Sequence, residues 1–134
     1  MALMKPRDSV AQIAASVRDA LSGDACETEA RRMVLDFVPQ FDKARQEERA
    51  ALVRVRPPST GDLRYDALLA ALVEHVCVRT GTLIPAWVED PDRFLDTWWF
   101  VSGLRVLHAS ALAESPISFA RRGVFICDGA LTYA

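Results

Sequence analysis

Val10, Ile13, Ala14, Val17, Ala20 and Leu21 recur every three or four residues, the period of one helical face. Gln12, Ser16, Arg18 and Asp19 fall mainly on the other side. Asp8 or Ser9 supplies the N-cap, and Gly23 ends the run. This pattern suits a helix packed on the core, and equally an arm that wraps a partner. A second helix starts near Cys26 to Thr28, where Glu27 and Glu29 favour an N-terminus. Its inward residues are Ala30, Val34, Phe37 and Phe41. Pro39 lacks a backbone donor, so it must kink this helix or end it near Val38. From Asp42 to Arg56 the chain is charged and helical in pattern, with Ala51, Leu52 and Val55 inward and KARQEER as a solvated face. RPPSTGD, residues 56–62, breaks the pattern; it is a hinge between subdomains or a loop inside one domain. Asp62 then caps a helix from Leu63 to Thr80, closed by Gly81. Leu68, Leu69, Leu72, Val73, Val76 and Cys77 give it a wide apolar stripe, and Ala67, Ala70 and Ala71 admit close neighbours.

The second half is richer in aromatic residues and holds all three tryptophans. GTLIPAW reads as a connection with one extended segment. Asp90-Pro91 is a helix start, with Asp92 complementing the dipole. Phe94, Leu95, Trp98 and Trp99 are the apolar positions that follow. Trp98, Trp99 and Phe100 are consecutive. On a helix they cover most of the circumference; on a strand Trp99 opposes the other two. Either way one core cannot easily take all three, so at least one ring meets another layer or the surface. Ser102-Gly103 breaks the run. Leu104, Leu107, His108, Ala111 and Leu112 form a further short helix. Ser115-Pro116 starts a last one, anchored by Phe119 and ended by Gly123, and Val124-Phe125-Ile126 is β-like. The fold expected is mainly α: one compact domain over residues 1–134, a bundle of about five to seven helices with a short extended segment near the C-terminus.

Composition changes this picture little. At 134 residues, with 51% hydrophobic and 25% charged, the chain can bury a sizeable core. A net charge of -2 argues against nucleic acid as the main partner. No signal-peptide pattern opens the chain and no apolar run reaches membrane length, so it reads as cytoplasmic. The three cysteines, Cys26, Cys77 and Cys127, do not suggest a disulfide framework.

Catalytic motifs are sparse. There is no phosphate loop, dinucleotide fingerprint or paired CxxC. His75 and Cys77 point to different helical faces, and His108 could meet Cys127 only through the fold. Asp92 and Asp96 would share one helical face, where paired carboxylates can bind metal or do acid-base work; a solvated edge, or partners for Arg93, Arg105 or Arg121, is the simpler reading. No cofactor, metal or catalytic residue is expected. Tryptophan and arginine are enriched at binding hot spots. Trp98, Trp99, Phe100, Arg105, Arg121 and Arg122 are therefore the expected partner-binding residues.

Three blocks, PPSTGDLRYDALLAALVEH, PAWVEDPDRFLDTWWF and LHASALAESPISFARRGVFI, carry a resemblance. Over about residues 56–126 the chain resembles small actinobacterial antitoxin-like proteins, often encoded beside a protein of nucleotidyltransferase fold that would be the toxin. The resemblance implies a protein that binds and neutralises such a toxin. Related antitoxins often carry an N-terminal helix-turn-helix; none is legible here. The alternatives are a DNA-binding regulator using the N-terminal helices, a homo-oligomeric helical scaffold, or a small enzyme using Asp92, Asp96 and His108.

Overall fold

A computed structural model describes residues 8–23 and 27–131, so the expectations for Cys26 and for the last three residues lie outside the described residues. The chain is mainly helical. Its α-helices are α1 (Val10–Ser22), α2 (Glu27–Leu35), α3 (Phe37–Lys43), α4 (Gln46–Arg54), α5 (Leu63–Thr80), α6 (His108–Glu114) and α7 (Ile117–Ala120). Two short strands, β1 (Trp99–Phe100) and β2 (Val124–Phe125), and four 3-10 turns complete it. One hydrophobic core runs from Val10 in α1 to Leu131.

Helix α5 lies at the centre. Every residue from Tyr65 to Val73 is buried, more than two turns enclosed on all faces. The small side chains Ala67, Ala70 and Ala71 let neighbours approach, and α1, α3, α7 and β2 all pack on it. Both ends follow the sequence signals. Asp62 accepts from the Arg64 amide at 2.9 Å, and Gly81 takes φ 71°, a left-handed C-cap. At the start of α1, Ser9 and Gln12 form a reciprocal capping box.

Three local expectations change. The second helix stops at Leu35 and α3 starts at Phe37, placing Pro39 in the first turn of a new helix. There its missing N–H needs no partner within the helix, whereas in a continuous helix its ring would strike the Leu35 carbonyl. In α4 the buried pair is Leu52 and Val53; Ala51 and Val55 are exposed. The turn of helix that buries Val53 puts Ala51 on the outer side, and Val55 lies past the last residue of α4.

The largest departure follows Pro91. The helix expected there is one 3-10 turn, Pro91–Arg93; Phe94 is already extended at φ -121° and ψ 130°. Asp90 does not cap the turn, since its carboxylate takes the Arg56 guanidinium at 2.7 Å. Backbone groups beyond the turn find partners across the chain instead. Leu95, Trp99 and Val101 amides donate to the Arg122, Gly123 and Phe125 carbonyls at 3.0, 2.8 and 3.0 Å. β1 and β2 are thus parallel, with Trp99 opposite Val124 and Phe100 opposite Phe125. A parallel pair needs a crossover, and α6 with α7 provides it.

The 56–62 break is tied down on both sides. Asp66 is a buried acid on α5. It accepts from the Thr60 amide and hydroxyl at 2.7 Å each, and from the Ser59 hydroxyl at 2.7 Å. The buried Arg93 guanidinium donates to the Pro57 carbonyl at 3.0 Å and the Asp66 carbonyl at 3.2 Å.

Candidate functional site

The strand geometry sorts the three consecutive rings. Period two places Trp98 and Phe100 on one face, and both meet Phe125 of β2. The Trp98 and Phe125 rings lie edge to face at 5.0 Å, and Phe100 stacks on Phe125 at 5.3 Å. Phe100 also stacks on the His108 imidazole at 4.0 Å. An aromatic row therefore runs Trp98, Phe125, Phe100, His108. Trp99 faces the other way, packed on Tyr65 of α5 at 5.3 Å with the Arg64 guanidinium over its ring. Of the three rings, Trp98 is the exposed one, at 63%. The connection from β1 to α6 leaves Leu104 and Val106 exposed as well, Val106 at 82%.

An apolar cavity of about 390 Å³ opens along the same row. Phe100, Leu107, Ala111, Phe125 and Ile126 supply its apolar wall, and Arg31 and Leu35 of α2 close the opposite side. His108 and Cys127, which only the fold could bring together, both line it. The Cys127 thiol lies 3.9 Å from the Leu107 carbonyl.

The arginines expected at a partner surface separate. Arg105 is exposed. Arg121 is partly exposed and engaged: it donates to Glu89 through two nitrogens at 2.9 and 2.7 Å, and to Glu74 at 2.7 Å. Those hydrogen bonds, Glu89 first, raise its pKa, and the same contact with Arg121 draws Glu89 down. Arg122 corrects the expectation, because its side chain is wholly enclosed. It donates to Glu74 at 2.5 Å and to the Ser118 and Val88 carbonyls at 2.7 and 2.8 Å. Desolvation lowers its pKa against the pull of Glu74. Both guanidiniums lie over the Phe94 ring, at 5.1 and 4.8 Å. Arg122 thus holds α7 to α5 and to the Ala86–Glu89 turn, and no partner can reach it.

The remaining candidates scatter. With no helix at 92–96, Asp92 and Asp96 lose their shared face; Asp92 pairs with Arg56 at 3.3 Å, and Asp96 is exposed. His75 packs edge-on against Phe119 at 5.7 Å. Cys77 is buried, and burial pushes its thiol up to about 11. Among the described residues, no group of three or more His, Cys, Asp or Glu side chains is placed to hold a metal ion.

Sequence reasoning missed Arg31, Leu104 and Val106. Arg31 stands four residues before Leu35, a spacing that puts both on one helical face. Leu104 was expected among the apolar positions of a short helix, but α6 starts only at His108, so Leu104 and Val106 lie ahead of it and stay exposed.

No family model matches the chain, and no curated protein or solved structure matches it either.

Proposed function

We propose that this chain is a partner-binding protein of antitoxin type, docking on a toxin through the surface around Trp98, Leu104 and Val106. One observation carries the docking surface. Ten large apolar residues are exposed among those described, and four of them, Trp98, Leu104, Val106 and Leu112, fall within residues 98–112. Scattered exposed apolar residues are ordinary; a concentration in one connection is what binding surfaces use. Trp98 suits an anchor, since its ring is fixed by Phe125 and so loses little freedom on binding. Arg105 flanks this surface and can meet an acidic rim. The toxin identity comes from the resemblance of residues 56–126 to antitoxin-like proteins. A toxin of nucleotidyltransferase fold is the partner that resemblance supplies.

The test is co-expression with the protein encoded beside it. The wild-type chain is expected to relieve growth inhibition and to co-purify at fixed stoichiometry. Val106→Asp is expected to abolish both while changing the unfolding free energy by no more than about 0.5 kcal/mol. Co-purification unchanged in Val106→Asp and in Trp98→Ala would move the interface elsewhere. A neighbour that neither binds nor is neutralised would end the antitoxin reading.

A further inference from the structure

The cavity beside the aromatic row holds one cationic wall residue. Arg31 makes no ion pair with any described carboxylate, and its Nε is shut off from solvent without a hydrogen-bond partner. Other arginines of the fold are matched: Arg32 to Glu29, Arg64 to Asp62, Arg79 to Asp42, Arg121 to Glu89, Arg122 to Glu74. A guanidinium held half-buried against apolar walls loses hydration, and the Tyr65 hydroxyl on α5, a neutral group, answers it without matching its charge. A carboxylate matches its planar fork with two parallel hydrogen bonds.

We propose that this cavity binds a small carboxylic acid with an apolar body, its carboxylate on Arg31 and its body along Phe100, Leu107 and Phe125. The volume lies in the range of small-ligand pockets. Phe100 and Phe125 are already stacked, so an aromatic or medium-chain body meets a preformed wall. A single wall cation suits a monoanion; a phosphate dianion would keep uncompensated charge among apolar side chains. The site belongs to the isolated chain, and it stands or falls independently of any protein partner.

The full chain is titrated with octanoate, and separately with neutral octanamide, while backbone amide resonances are followed by NMR. Octanoate is expected to shift Phe100, Ala111 and Ile126 saturably. Octanamide is expected to bind at least about tenfold more weakly, the loss of one charge-assisted pair. Arg31→Gln should reduce octanoate to the affinity of octanamide and leave octanamide unchanged. Ala111→Phe, which fills the cavity, should remove binding of both. Equal affinity of the wild type for acid and amide overturns the proposal, and that comparison needs no variant to fold. So does the absence of saturable shifts, or octanoate affinity untouched by Arg31→Gln.

Discussion

Arg121 and Arg122 are adjacent in sequence and opposite in environment. Arg122 is fully enclosed with a carboxylate and two carbonyls as partners, while Arg121 bridges two glutamates at the surface. Removing Arg122 empties an enclosed site, leaves the Ser118 and Val88 carbonyls without that donor and leaves Glu74 with Arg121 alone. Arg122→Ala is therefore expected to lose about 3–5 kcal/mol of unfolding free energy in urea denaturation. Arg121→Ala, at a solvent-screened network, should lose about 1 kcal/mol or less. Equal losses would mean that Glu74 does not depend on Arg122. The dipeptide reads in sequence as one basic feature at a helix end, because residue type carries no mark of burial. What separates the two is the direction of α7, and α7 is placed by long-range contacts with α5. Cys77 shows the converse. Its place in the stripe of α5 already marks it as a small buried hydrophobe, and the structure buries it among Val73 and Val76. Its raised pKa and burial together predict that a thiol reagent at pH 8 leaves Cys77 unlabelled in the native chain and labels it in denaturant, read by peptide mass spectrometry.

At the scale of elements, the helices were legible where local signals agreed with packing. Ser9, Asp62 and Gly81 terminate α1 and α5 as their chemistry dictates. The segment after Pro91 was not legible, because a good local start signal lost to pairing with β2, about twenty-five residues on. The alternation of Trp98, Trp99 and Phe100 was the clue to a strand, but two residues are too few to establish a period. Gly123 makes that pairing feasible. It takes φ 78° between α7 and β2, and its carbonyl accepts from Trp99. A Cβ there would meet the Leu95 carbonyl at 3.4 Å, ordinary contact, so the strain of Gly123→Ala lies in the left-handed backbone. The loss should be about 1–2 kcal/mol in urea, with tryptophan fluorescence following the transition. Two acids are held in their charged form by arginines. Asp62, at the head of α5, is held below its ordinary pKa chiefly by its hydrogen bond to Arg64; Glu89 is held low chiefly by Arg121. Because the folded values are depressed, their stabilisation is complete above the unfolded carboxylate range and lost as pH falls through the folded values. The melting temperature is expected to hold from about pH 7 to 5 and to fall below about pH 4. Glu89→Gln should make that acid limb shallower. An acid limb unchanged in Glu89→Gln would show that Glu89 titrates alike in the folded and unfolded chain.

For the molecule as a whole, the question left open by the pattern was whether residues 56–62 separate two units. The contacts across that loop are structural ones. Trp87 donates to the Val53 carbonyl at 2.9 Å and Arg79 pairs with Asp42, while Arg18 ties the loop itself to α1 through the Ser59 carbonyl at 3.3 Å. The core crosses it as well: Val10, Ala14, Val17, Val34, Phe37 and Phe41 are fully buried on one side, and Tyr65 to Val73 on the other. Helix α5 is apolar almost all round, so it needs cover on every face, and α1 and α3 supply part of it. The stretch that carries the resemblance, residues 56–126, holds the proposed docking surface but lacks that cover. A fragment starting at residue 56 is therefore expected to lose cooperative unfolding and to self-associate through the exposed flank of α5, by circular dichroism and sedimentation velocity. The full chain should melt in one transition. Adding the separate peptide 1–55 should restore the fold of the fragment, since complementation replaces the same buried surface. A fragment that melts cooperatively alone would instead make the break a true domain boundary. The binding surface proposed around Trp98 would then sit on a unit that could act without α1 to α4.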